Sequence, residues 1–200
     1  MFSANDFIPK SYSHIQEQGS FTWSAPSNIA LVKYWGKKDN QIPANPSISF
    51  TLNHCKTITK LAFAKKVNTG NLSFDLLFEG QPKEDFKPKI QKFLKRIELY
   101  LPFLKEYHFT IDTQNTFPHS SGIASSASGM AALAMNLMSL EKTLQPEMTD
   151  DYFYQKASFL ARLGSGSACR SVKGSVVVWG NHSNTKGSSD LFGVEFPHPI

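Results

Sequence analysis

The sequence predicts an α/β or α+β domain in which strands alternate with helices, and three stretches carry that prediction. Residues 46–53 (PSISFTLN) alternate strictly, with Ile48, Phe50 and Leu52 on one side and Ser47, Ser49 and Thr51 on the other, the period of a half-buried strand. Ile90, Phe93, Leu94, Ile97 and Leu101 form one apolar stripe at helical spacing, on a helix that starts near Pro88. Residues 124–140 are rich in Ala and Met and apolar nearly all round, as in a helix buried between other elements.

The other elements follow in chain order. Residues 24–39 (SAPSNIALVKYWGKKD) open as a buried strand and end in an aromatic turn, Tyr34 to Lys37. Residues 56–64, 72–78 and 107–112 read as strands, the last two with Phe74, Leu76 and Phe78, and Tyr107, Phe109 and Ile111, at period two. A third helix is predicted over 150–162, with Thr149 as N-cap, two acids in its first turn and Gly164 as the stop. A strand over 174–180 and a polar, turn-forming loop over 181–190 complete the chain, which has no internal repeat.

Composition narrows the function. A chain of 200 residues can bury roughly 70% of its unfolded surface, and 40% hydrophobic against 18% charged residues, with 16 Phe, exclude global disorder. The longest apolar stretches fall short of the roughly 18 residues of a membrane span, and MFSANDFIPK lacks the apolar core of a signal peptide, so a cytoplasmic protein without a membrane partner is expected. Cys55 and Cys169 are expected as free thiols, and the six histidines show no metal-ligand spacing, so no protein-held metal site is expected. The net charge of +5 and pI near 9.1 come from Lys and Arg spread along the chain, which disfavours nucleic acid and favours a small anionic ligand.

Three segments carry chemistry. In 118–129 (PHSSGIASSASG) a strand gives way to a Gly/Ser loop and the buried helix, a geometry in which free N–H groups and the helix dipole favour phosphate. It is neither a Walker A loop nor a GxSxG elbow, and a small-residue helix packed tightly on a sheet would look alike. In 24–39, Lys33 interrupts an apolar run, so it either reaches the surface or meets a counter-charge. Tyr34 and Lys37 could hold phosphate oxygens through a phenol and an ammonium. In 164–171 (GSGSACRS) small residues and hydroxyls surround Arg170, whose planar fork suits a carboxylate or phosphate, though a surface arginine capping a carbonyl is the plain alternative. Cys169 has no evident His or Asn partner and reads as a packing residue.

Taken together, APSNIALVKYWGKKD from Ala25, NPSISFTL from Asn45, FPHSSGIASSASG from Phe117 and ARLGSGSACRSVKG from Ala161 resemble the N-terminal portion of the diphosphomevalonate decarboxylase family, within the GHMP kinase superfamily. The superfamily phosphate motif PxxxGLxSSA appears as residues 118–127 with Ile123 in place of leucine, and His119, Ser120 and Ser121 replace residues that are often smaller. KYWGK and GSGSACRS are specific to the decarboxylase branch.

The resemblance implies a two-layer domain of the GHMP-kinase type, related in fold to a ribosomal-protein domain, with a mostly antiparallel sheet carrying its helices on one side. It implies the ATP- and Mg2+-dependent conversion of 5-diphosphomevalonate to isopentenyl diphosphate. By resemblance, Ser120, Ser121, Gly122, Ala124, Ser125 and Ser126 hold the ATP phosphates, with Ser126 near the transferred group. Tyr34 and Lys37 hold the substrate diphosphate, Ser165 and Ser167 line the pocket, and Arg170 grips the departing carboxylate. Lys33 and Asn28 sit near the reacting end, and Ser47 and Ser49 face the site. Rival readings are a phosphomevalonate decarboxylase, a mevalonate 3-kinase or a non-catalytic binding module. A homodimer is compatible with any of them. The family's catalytic aspartate belongs to its C-terminal half and has no match here, so the expectation is an incomplete, inactive chain whose C-terminal domain is essentially absent. Its expected parts are an N-terminal extension over 1–20, the domain over 21–190, and the start of a truncated second domain over 191–200.

Overall fold

A computed structural model describes residues 3–118 and 122–197. Its sheet is built on one long strand. β1 (Gln18–Val32) runs antiparallel to β2 (Ser47–Lys65) along both halves of β2. β3 (Ser73–Phe78) and the short β4 (Gln81–Pro82) follow, then helix α1 (Lys87–Ile97) and β5 (Tyr107–Asn115). Helices α2 (Ser125–Leu144) and α3 (Asp150–Gly164) come next, and the short strands β6 (Val176–Trp179) and β7 (Val194–Glu195) end the chain. The sheet order is β4-β3-β5-β2-β6-β7 with β1 also on β2, and only β3 and β5 pair in parallel.

The expected strands at 46–53 and 56–64 are thus one continuous strand. Residues 52–55 are skipped by β1, whose register passes from Pro26 opposite Lys56 to Asn28 opposite Thr51. The polar Asn53 and His54 that look like a turn in sequence are absorbed as an irregularity. Beyond it, β5 pairs with residues 57–65 of β2 and β6 with residues 47–50.

One face of the sheet carries the helices. Leu61, Phe63, Phe109 and Ile111 meet α2, of which Ala131, Ala132, Ala134 and Met138 have no exposed surface. This helix starts one residue later than expected and runs four residues further. Thr149 caps α3 by accepting from the Tyr152 amide at 3.3 Å. Gly164 lies inside α3 and does not end it in a left-handed turn. A Cβ there would come within 2.7 Å of Met130 Sδ and 2.9 Å of Phe93, so glycine lets α3 close on its neighbours. Leu101, expected on the stripe of α1, is buried in the turn after that helix ends.

Both chain flanks pack on this core. Phe7 is fully buried and stacks on Phe159 with ring centroids 4.6 Å apart, and Phe192 meets it edge-on at 6.2 Å. The amides of Ser13 and His14 donate to the Leu144 carbonyl. Beside this strap lies an ion pair with no exposed surface, Lys156 Nζ to Glu141 Oε1 at 2.5 Å, and the Tyr12 hydroxyl donates to the same oxygen at 3.3 Å.

Candidate functional site

The irregularity in β1 builds the site. Along β1 every second residue points inward up to Ser27, but the register shift buries Asn28 as well, so two consecutive polar side chains face the interior. Ser27 reaches Ser128 Oγ in the first turn of α2 at 3.4 Å. Asn28 donates to Ser171 Oγ at 2.7 Å and to the Ser167 carbonyl at 3.1 Å, both in the 3-10 turn Gly166–Ser171.

That turn presents Arg170, which is 2% exposed. Its Nε donates to Ser49 Oγ at 2.8 Å, Nη1 to Ser47 Oγ at 2.6 Å and Nη2 to Asn28 Oδ1 at 3.5 Å. The guanidinium lies 5.6 Å from the ring centroids of both Tyr34 and Trp179, within cation–π range. Among the described residues no carboxylate pairs with it. Burial pushes its pKa below the ordinary arginine value. The strand over 46–53 alternates as expected, yet its serine side is the buried one: Ser47 and Ser49 point inward because Arg170 covers them, while Ile48 and Phe50 are half-buried.

The segment after β1 is held by Asn45, which accepts from the Trp35 amide at 2.7 Å and donates to the Lys33 carbonyl at 3.1 Å. Tyr34 packs edge-on against Trp179 at 4.9 Å. Lys37 Nζ donates to Gln41 Oε1 at 2.7 Å. Lys33 does not sit in a buried strand: β1 ends at Val32, and Leu31, Val32, Lys33 and Trp35 are all exposed, forming an open rim beside Arg170. Ser165 and Ser167 are half-buried in and before the 166–171 turn, and their hydroxyls have no hydrogen-bond partner among the described residues.

At the other end of Ser27 lies the start of α2. Ser120 and Ser121 fall outside the described residues. Gly122 has φ +80, a left-handed conformation that favours glycine, and Ala124 at φ 58 turns the chain into the helix. Ser125 and Ser126 line a cavity of about 320 Å³ that also takes in Thr57, Thr59, Phe78 and Lys89. Below it, Ser128, Thr57 and Asn115 are joined by hydrogen bonds of 2.6 and 2.8 Å, so α2, β2 and β5 are locked together under the helix N-terminus. The site therefore has one end at a helix start lined by serine hydroxyls and a second end that is a buried cation.

A family model described as "diphosphomevalonate decarboxylase-like N-terminal domain" matches residues 25–190. The chain belongs to this family. Among curated relatives, the diphosphomevalonate decarboxylase of Debaryomyces hansenii is 36% identical over 174 residues, covering 82% of this chain and 43% of its own length. Among solved structures, the mevalonate diphosphate decarboxylase of Enterococcus faecalis aligns with a TM-score of 0.69 and 32% identity, over 90% of this chain and 52% of its own. A further structure, solved in complex with MVAPP, AMPPCP and magnesium, aligns with a TM-score of 0.68. The chain spans about half the length of the proteins it matches or somewhat less.

Several features of this decarboxylase-family domain escape its sequence. Thr57, Thr59 and Lys89 reach the cavity beside Ser125 and Ser126 only through strand pairing and helix placement. Arg162, 1% exposed and in the last turn of α3, is a second buried guanidinium without an ion-pair partner among the described residues, and no motif in the sequence singles it out. Cys169 is buried, and burial pushes its thiol up to about 12, so it is inert as a nucleophile at neutral pH. In the folded protein, iodoacetamide is expected to modify the half-buried Cys55 and leave Cys169 unmodified until denaturant is added. Peptide mass mapping reads this, and prompt labelling of Cys169 would contradict its packing role.

Proposed function

We propose that this chain supplies the nucleotide- and substrate-binding face of a cytoplasmic diphosphomevalonate decarboxylase. That enzyme phosphorylates the tertiary 3-hydroxyl of 5-diphosphomevalonate from ATP, then releases phosphate and carbon dioxide to leave isopentenyl diphosphate. The observation that carries this reading is Arg170: a guanidinium 2% exposed, bonded only to neutral oxygens, beside an open rim. A buried charge of this kind calls for an anion. The substrate carboxylate is such an anion, and charge-assisted bonds with the remaining N–H groups would hold it until it departs.

The relative solved with MVAPP, AMPPCP and magnesium supports ATP and Mg2+ as cofactors. Bound ATP would supply the phosphoryl group. Ser125, Ser126 and the first amides of α2 would hold its phosphates over the cavity, with Lys89 nearby. Within this domain the Ser126 hydroxyl, beside the phosphates, is the group that would reach Mg2+. Lys37 and Tyr34 would take the substrate diphosphate, and Ser165 and Ser167 would offer it hydroxyls that have no partner among the described residues.

Calorimetric titration tests the reading with 5-diphosphomevalonate and with isopentenyl diphosphate, which lacks the carboxylate. Arg170→Lys is expected to weaken 5-diphosphomevalonate at least tenfold, corresponding to about 1.5 to 3 kcal/mol, and to leave isopentenyl diphosphate nearly unchanged. Because Arg170 also ties β2 to the 166–171 turn, its melting temperature should fall too. Equal losses for both ligands would make Arg170 a structural pillar only.

A further inference from the structure

We infer that Arg162, at the end of α3, is a positioning residue that sets Lys37 for its anion. The inference rests on the reading that Lys37 receives the substrate diphosphate. Arg162 Nη1 donates to the Asn40 carbonyl, and Nε donates to the Leu191 carbonyl at 2.7 Å. The guanidinium lies 5.2 Å from the Phe159 ring centroid and is 1% exposed. Its only hydrogen-bond partners among the described residues are main-chain carbonyls of two separate segments.

Asn40 is an unusual place to grip. Asn40 and Gln41 have φ of 56° and 61°, two successive non-glycine residues in the left-handed region. Such residues persist only where the surroundings hold them. Asparagine tolerates that region, glutamine much less so. The consequence of the turn is to aim Gln41 back at Lys37, whose Nζ donates to Gln41 Oε1 at 2.7 Å. The pair packs beside Gly166, where a Cβ would lie in ordinary contact at 3.5 Å from both Gln41 Oε1 and Lys37 Cδ and closer, at 3.0 Å, to the Trp179 ring. Lys37 is exposed and long, and without this acceptor it would sample many rotamers. The path from Arg162 through the Asn40 carbonyl and the Gln41 amide to the Lys37 ammonium therefore gives a fixed acceptor to a charge whose other neighbour is the Tyr34 ring, 5.9 Å away. Burial lowers the Arg162 pKa to about 10, which leaves the guanidinium charged at neutral pH.

Two measurements on the chain test this. Amide hydrogen exchange follows Lys38, Ile42 and Ala44, whose amides donate within the loop to Ile42, Asp39 and Gly36. Arg162→Met is expected to speed their exchange at least tenfold while the amides of α2 keep their rates. Titration with 5-diphosphomevalonate and with mevalonate, which lacks the diphosphate, should then show a loss of fivefold or more for the first ligand only. Wild-type exchange rates at all three amides, or equal losses for both ligands, would overturn the inference. Should Arg162→Met fail to fold, Gln41→Ala cuts the last link outside the core, and an unchanged diphosphate affinity in that variant overturns the inference equally. Lys37→Ala separates the two ideas. If it binds 5-diphosphomevalonate like wild type, or if wild type binds no diphosphate ligand, the reading of Lys37 as a diphosphate contact fails. The exchange rates still decide whether Arg162 holds the turn.

Discussion

Replacing Lys156 with Met is expected to remove about 3 to 5 kcal/mol of folding stability, the range for breaking a buried ion pair from one side. Lys156 and Glu141 have no exposed side-chain surface, and Glu141 Oε2 has no hydrogen-bond partner among the described residues. Burial is the largest influence on both groups: it pushes the Glu141 carboxyl up and the Lys156 ammonium down, and their mutual attraction opposes it. Without Lys156, Glu141 would be a buried carboxylate with only the Tyr12 hydroxyl beside it. Its folded-state pKa would then lie still further above the unfolded value, so the folded state binds the proton more tightly. The variant should therefore regain stability as pH falls. That contribution is complete below the ordinary carboxylate range and is lost as pH rises through the raised folded value. The double variant Glu141→Leu/Lys156→Met should recover most of the loss, since an apolar pair of similar volume removes both desolvation penalties. Urea unfolding at pH 5 and pH 8 measures all three. A single-variant loss below about 1 kcal/mol would mean that the pair is hydrated.

Ser126→Ala is expected to lower turnover by two to three orders of magnitude in a full-length enzyme carrying this domain, while ATP affinity changes little. The cost anticipated for one donor aimed at developing charge is about 2.7 to 4 kcal/mol. Many amides at the start of α2 would still hold the nucleotide, so ground-state binding survives the loss of one hydroxyl. Ser126 lines the cavity and has no hydrogen-bond partner among the described residues, which leaves its hydroxyl available to a ligand. Single-turnover and nucleotide-binding measurements separate the two effects. Unchanged turnover would assign the hydroxyl a packing role.

Local periodicity reveals the elements of this fold and conceals how they join. The stripe of α1 and the apolar girth of α2 are visible because helical spacing and burial are written in consecutive residues. The union of 46–53 with 56–64 is not, because Asn53 and His54 look like a turn until β1 is seen to pass them by. The same limit applies to the site. Arg170 stands out in a loop of small residues, but that its partners are the hydroxyls of Ser47 and Ser49, more than 120 residues earlier, follows only from strand pairing. Alternation separates the two faces of that strand without showing which of them is the more buried. The buried Arg170 draws the serine face inward, since a buried cation needs oxygens more than it needs an apolar wall. Arg162 is invisible for a simpler reason: its acceptors are main-chain carbonyls, and any residue type could supply them.

The register shift in β1 also sets a length. Ser27 and Asn28 are neighbours, so their Cα atoms stand about 3.8 Å apart across one peptide. One leads to the head of α2 and the other to Arg170. The head of α2 and Arg170 are therefore tethered, each through a side-chain hydrogen bond, to adjacent positions of one sheet strand. The two ends share one support, so a displacement of β1 at this point moves both of them. Lengthening β1 by one residue between Ser27 and Asn28 is expected to part the head of α2 from Arg170 while leaving every contacting side chain in the chain.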